Sequence, residues 1–116
     1  MQFNIVDYPQ AAVISVQEAR LDAHNSPELK STILQQFDAE KKNLIVDLNE
    51  VRFIDSSGLG VLVSGFKNAS ARNGALLLCA MQPQVKSMFE LTRLHRVFDI
   101  YATSDEALAS LINVTP

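Results

Sequence analysis

The sequence predicts a small single-domain α/β protein: a mixed β-sheet with a parallel centre and an N-terminal hairpin edge, packed with about four helices. Three observations carry this. Strand and helix patterns alternate through the middle of the chain, which implies parallel strands joined by crossovers. Two short apolar runs, Leu44-Ile45-Val46-Asp47-Leu48 and Leu76-Leu77-Leu78-Cys79-Ala80, read as strands covered on both faces. The length of 116 residues, 47% of them hydrophobic, supplies one core and is too short for two. Residues 1–116 are therefore expected to form one domain.

Phe3 to Tyr8 and Ala12 to Gln17 carry apolar residues in partial alternation on either side of Pro9-Gln10, the pattern of a hairpin at one sheet edge. Asn25-Ser26-Pro27-Glu28 then marks a helix start: a capping side chain, a proline in the first turn, and an acid near the positive helix end. Leu29, Ile33, Leu34 and Phe37 share one face of that helix, which ends near Lys41-Lys42-Asn43 before the first apolar strand. A second helix fits Ser57 to Asn73, with Leu62, Val63, Phe66 and Ala69 inward, Ser64, Lys67, Asn68 and Arg72 towards water, and Gly74 as the stop. After the second apolar strand, Pro83 opens a third helix with Val85, Met88 and Phe89 inward, and Asp99 to Tyr101 is a candidate short strand. Thr103-Ser104-Asp105-Glu106 reads as a capping box for a last helix docked by Leu108, Leu111 and Ile112.

Composition removes several functions. A net charge of -3 gives no broad basic surface for nucleic acid phosphates. No apolar run approaches the roughly 20 residues that span a bilayer, and Met1-Gln2-Phe3-Asn4-Ile5 has no basic start followed by an apolar stretch. A soluble, unprocessed, cytoplasmic monomer is expected. The lone Cys79 lies in an apolar strand and has no internal disulfide partner, and with His24 and His95 it shows no metal-ligand spacing. No metal and no cofactor are expected.

The informative segment is Phe53-Ile54-Asp55-Ser56-Ser57-Gly58-Leu59-Gly60, between the central strand and the second helix, where such a sheet presents a helix N-terminus to solvent. One reading is structural: Asp55 or Ser56 caps the helix, and the two glycines permit a tight turn and close packing. The other is chemical. Two adjacent hydroxyls beside a carboxylate leave an unhindered serine at an electropositive helix end, where an added phosphate would be accepted by backbone N–H donation. A nucleophile at Ser56 would need a base, and neither histidine is spaced towards the turn. A phosphate-binding loop would end in Lys-Ser or Lys-Thr, whereas Gly60 precedes Val61-Leu62-Val63. The chain is thus read as a binding protein with no catalytic residues.

The complete Asp-Ser-Ser-Gly-Leu-Gly turn at Asp55 to Gly60 resembles the hallmark of the STAS domain, and within it of the bacterial anti-sigma factor antagonists. Leu21-Asp22-Ala23-His24, Asn43 to Asp47, and Cys79-Ala80 with Pro83 and Val85-Lys86 extend the likeness over nearly the whole chain. The resemblance implies a partner switch in transcription regulation. By that resemblance Ser56 is expected to be the phosphorylation target, with Asp55, Ser57, Gly58, Leu59 and Gly60 completing the recognised turn. The unphosphorylated form binds an anti-sigma factor that is also an ATP-Mg-dependent serine kinase, which frees the sigma factor; phosphorylation breaks the complex and a PPM-type serine phosphatase restores it. Asp22, His24 and Asn25 form a further candidate interface, with capping by Asn25 or Ser26 and a plain surface place for His24 as the competing reading. Ala19-Arg20 stands where the family often has Gly-Glu, placing a positive charge near that interface, and Arg93 stands where relatives often have a turn glycine, with a local conformational consequence expected. Two other roles remain open: a partner switch controlling a non-sigma target such as secretion, biofilm formation or a second-messenger enzyme, and an accessory subunit of a transporter.

Overall fold

The computed structural model describes residues 1–112, the last of them, Ile112, by its backbone alone, so the docking expected of its side chain lies outside the described residues. β1 (Phe3–Asp7) and β2 (Ala12–Val16) form the antiparallel hairpin, closed by the Tyr8 N–H donating to the Ala11 carbonyl at 2.8 Å. β3 (Arg20–Leu21) leads to α1 (Ser26–Asp38), β4 (Asn43–Asp47), β5 (Phe53–Ile54), α2 (Ser56–Ala71) and β6 (Ala75–Cys79). α3 (Pro83–Leu91), a single 3-10 turn at Leu94–Arg96, β7 (Ile100–Tyr101) and α4 (Ser104–Ile112) complete the described chain. The main sheet runs β1-β2-β4-β6-β7, antiparallel only at the β1 edge, and β3 pairs with β5 in a separate parallel ribbon.

Period-two alternation divides the sheet between two layers. Ala12, Ile14 and Val16, Leu44 and Val46, and Leu76 and Leu78 face the larger core, which they share with Leu29, Ile33 and Phe37 of α1, Leu62 and Ala69 of α2, and Val85 and Phe89 of α3. Their neighbours Val13, Ile45, Leu77 and Cys79 face the other way, onto Ala107 and Leu108 of α4. Phe98 is held edge-on between Phe66 and Phe89, with centroids at 5.4 and 5.7 Å.

Several local expectations change. Arg72 does not simply face water: its guanidinium donates to the Phe37 carbonyl at 2.9 Å and to Asp38 at 3.0 Å, tying the end of α2 to the end of α1. Gly74 is not the left-handed stop; Asn73 takes that conformation at φ 60°, and no glycine has positive φ. Gly74 answers a different need, because a Cβ there would collide with the Lys42 carbonyl. Asn25 stands at the N-cap position of α1 without making a side-chain cap. Half of the capping box forms, with the Glu106 N–H donating to Thr103 Oγ1 at 3.1 Å.

Arg93 has φ 63° and ψ 14°, the left-handed region that disfavours a residue with a Cβ. Arg93→Gly is expected to raise stability by about 0.5–1 kcal/mol, relief of that strain less the greater unfolded-state freedom of glycine. The check is a higher urea midpoint at an unchanged m-value.

Candidate functional site

The β3–β5 ribbon builds the site. Arg20 pairs with Phe53 and Leu21 with Ile54, the Ala19 carbonyl accepts from the N–H groups of Arg52 (2.7 Å) and Phe53 (3.1 Å), and the Leu21 carbonyl accepts from Asp55 at 3.2 Å. The chain leaving β3 and the chain entering α2 are thereby held side by side. Gly58 makes this approach possible: a Cβ on it would lie 2.7 Å from the Leu21 carbonyl oxygen and 2.8 Å from Ile54 Cγ1. Gly58 is thus the glycine that serves close packing. Gly60 is not, since a Cβ there would meet nothing within 4 Å.

Asp55 is the cap of α2, which resolves the choice left open between it and Ser56. Its Oδ1 accepts from the N–H groups of Ser57 at 2.9 Å and Gly58 at 3.1 Å. Its Oδ2 accepts from the Ala23 N–H at 3.3 Å, so one carboxylate joins the helix start to the neighbouring turn. Ser56, the first residue of α2, is exposed, while Ser57 is half-buried and Leu59 is buried in the larger core. The expectation that the helix N–H groups would receive a phosphate changes here, because those of Ser57 and Gly58 are already donated to Asp55.

Asp22, His24 and Asn25 do come to this place, as a self-bonded turn. Asn25 Oδ1 accepts from the Asp22 N–H at 2.9 Å and its Nδ2 donates to the Arg20 carbonyl at 2.7 Å. Asp22 Oδ1 accepts from the His24 N–H at 3.0 Å, and its Oδ2 takes a long 3.4 Å bond from Arg20 Nε. Asn25 therefore shapes the turn from within, and the His24 side chain is left exposed. Partial burial of Asp22 acts to raise its pKa, but the backbone of His24, the Arg20 guanidinium and the backbone of Asn25 together hold its carboxyl below the ordinary value.

Sequence reasoning assigned no role to Phe53. It is 41% exposed, directly before the turn, with the Arg20 guanidinium stacked 4.2 Å from its ring centroid. The sequence signal is limited to an aromatic placed directly before the turn, since its outward side follows from the register with Arg20. Elsewhere, Cys79 is fully buried and its thiol is pushed up to about 12, by burial first and the Asp47 charge second. Neither histidine hydrogen-bonds Ser56; His95 Nδ1 lies instead 3.3 Å from the Phe89 carbonyl. Among the described residues no three of His, Cys, Asp and Glu come together, and no helix is long and apolar enough to cross a membrane.

A family model for the STAS domain matches residues 2–107. The anti-sigma-B factor antagonist of Listeria monocytogenes is 34% identical over 80 residues, 69% of this chain and 70% of that protein. The anti-sigma-B factor antagonist of Bacillus subtilis is 29% identical over 85 residues, 73% of this chain and 77% of that one. Among solved structures, an anti-sigma-factor antagonist (STAS) domain protein from Planctomyces limnophilus is 26% identical with a TM-score of 0.86, covering 94% of this chain and 97% of that chain.

Two measurements probe the geometry. Asp55→Ala removes three accepted bonds and is expected to cost about 1–2 kcal/mol, the range of a strong N-cap, read by urea unfolding. Asp22 stabilises the fold above its unfolded pKa, and that contribution fades as pH falls through the lower folded value. In Arg20→Ala the Asp22 carboxyl, followed by NMR titration, is expected to move up towards 3.8.

Proposed function

The chain belongs to the STAS domain family, and from that premise we propose that it is a phosphorylation-switched anti-sigma factor antagonist, acting by binding and without catalysis. Residues 1–116 work as one STAS domain in the cytoplasm. The unphosphorylated form binds an anti-sigma factor that is also an ATP-Mg-dependent serine kinase and so frees the sigma factor. Phosphorylation of Ser56 ends the complex, and a PPM-type phosphatase restores it. The relatives described as anti-sigma-B factor antagonists support this reading.

The observation that carries it is the division of labour at the turn. Asp55 caps the helix, so the exposed Ser56 is relieved of any capping role and its hydroxyl is free to react. The fold does not neutralise the product. With the Ser57 and Gly58 N–H groups engaged, a phosphate carrying about −1.5 to −2 charge stands beside the Asp55 carboxylate and is presented outward. A partner surface fitted to the neutral hydroxyl would then have to bury an uncompensated dianion, at a cost of several kcal/mol.

Gly60 supports the same reading. A glycine in a helix interior is worse than alanine by about 0.8–1.0 kcal/mol, and no packing within the described chain requires it. It leaves the helix backbone open one turn beyond Ser56, where a partner can approach closely.

Incubation with the candidate anti-sigma kinase and ATP-Mg, followed by mass spectrometry, is expected to give one phosphate that is retained in Ser57→Ala and lost in Ser56→Ala. Ser56→Ala should stay bound to the kinase, and Ser56→Asp should bind about tenfold or more weakly, a difference of roughly 1.4 kcal/mol or above. Phosphate on another residue, or none with any cognate kinase, would overturn the assignment. Gly60→Ala is expected to raise stability by up to about 1 kcal/mol while weakening kinase binding.

A further inference from the structure

Arg20 and Phe53 form a prepared but unfinished contact beside Ser56. The guanidinium lies 4.2 Å above the Phe53 ring, its Nε is directed to Asp22 Oδ2 at 3.4 Å, and the backbone beneath both residues is paired strand to strand. The Arg20 carbonyl is also fixed, by Asn25 Nδ2 at 2.7 Å. The two terminal nitrogens, by contrast, make no hydrogen bond to any described residue, and the Arg20 side chain is 62% exposed. A planar fork already ordered by stacking, with both Nη groups free, matches a carboxylate taken in bidentate fashion. Arginine and aromatic side chains, phenylalanine among them, are also enriched in the cores of protein interfaces.

Position ties this pair to the switch. Phe53 precedes Ser56 by three residues, which a chain spans in at most about 10 Å. One side of an ordinary protein interface buries about 800 Å², a disc of roughly 16 Å radius. A partner that closes over Ser56 therefore reaches the Arg20–Phe53 pair.

We propose that the stacked Arg20–Phe53 pair is a docking point for an aspartate or glutamate side chain of the kinase partner, with Phe53 providing the apolar seat beneath the ion pair. This rests on the reading of Ser56 as that kinase's substrate. Arg20 sets which partner is accepted: an acidic residue at the facing place is rewarded, and a basic one is repelled. Phosphorylation of Ser56 acts on the neighbouring part of the same interface, so identity and state of the switch are read by different side chains.

The test is titration of the purified kinase, loaded with ADP-Mg, into wild type, Arg20→Lys, Arg20→Glu, Phe53→Ser and Lys42→Glu, each at low and high salt. Arg20→Glu is expected to raise Kd at least tenfold at low salt and to flatten its salt dependence. Arg20→Lys and Phe53→Ser should weaken binding to an intermediate degree, because Lys keeps the charge without the fork and Phe53→Ser removes the seat. Lys42→Glu makes the same charge change at the opposite end of the strands and should stay within twofold. Backbone amide NMR spectra report whether each variant keeps the fold. Wild-type binding with Arg20→Glu and Phe53→Ser within twofold of it overturns the inference and leaves the Ser56 switch standing. Absence of wild-type binding and phosphorylation overturns the reading beneath it, and the inference falls with it. If Arg20→Lys and Arg20→Glu leave Kd unchanged but shift the phosphoserine titration seen by phosphorus NMR, the fork serves the phosphate and the inference is likewise overturned.

Discussion

A single carboxylate, that of Asp55, fastens the start of α2 to the turn after β3, where the β3–β5 pairing has brought the two segments side by side. One oxygen satisfies two N–H groups at the start of α2, and the other reaches the Ala23 N–H in the turn after β3. The helix end of the site depends on that joint. It places the Asp22–Asn25 turn against the helix end, leaves Ser56 without structural duty, and occupies the dipole's positive end with a charge of the chain's own. Gly58 supports it sterically, since only a residue without a Cβ lets the helix start come this close to Leu21 and Ile54. The phosphate proposed for Ser56 would therefore meet a helix end whose first N–H groups are already compensated, and a docking partner would feel its charge.

The fold was legible where pattern and burial agree. β4 and β6 lie where their uninterrupted apolar runs place them, and α1, α2 and α3 bury the faces that their helical spacing marks, through Leu29, Ile33 and Phe37, Leu62 and Ala69, and Val85 and Phe89. The short ribbon of β3 and β5 was not legible, because two residues cannot display a period of two and because the pairing joins segments more than thirty residues apart. One helix end slipped by a residue: Asn73, a type that also tolerates the left-handed conformation, takes it in place of Gly74, whereas Arg93 at φ 63° shows the local backbone consequence expected of a side chain at a turn-glycine position.

The geometry of the candidate site was only partly legible. The order of Asp, Ser, Ser and Gly at the head of a helix identified the turn, but it could not say which residue capped and which was free, since both aspartate and serine are good caps. Asn25 shows the converse: a residue type and position suited to capping α1, diverted to bonds with Asp22 and Arg20 by a turn whose existence depends on the β3–β5 pairing. Phe53 was passed over because one aromatic in a strand reads as core unless its outward side is known, and that side is set by the register with Arg20.

The unequal layers of the sheet carry a consequence for how the molecule breathes. α4 is docked by Ala107 and Leu108, with Leu111 and Tyr101 packed alongside, against Ala11, Val13, Ile45, Leu77 and Cys79, while the opposite layer interlocks three helices through aromatic and large aliphatic side chains. Segments that bury little apolar area open locally at free energies below that of global unfolding. Departure of α4 would bring Cys79 to water without disturbing the layer that carries Ser56, so the labelling rate of this thiol counts one motion of the back layer, separate from the face proposed for recognition.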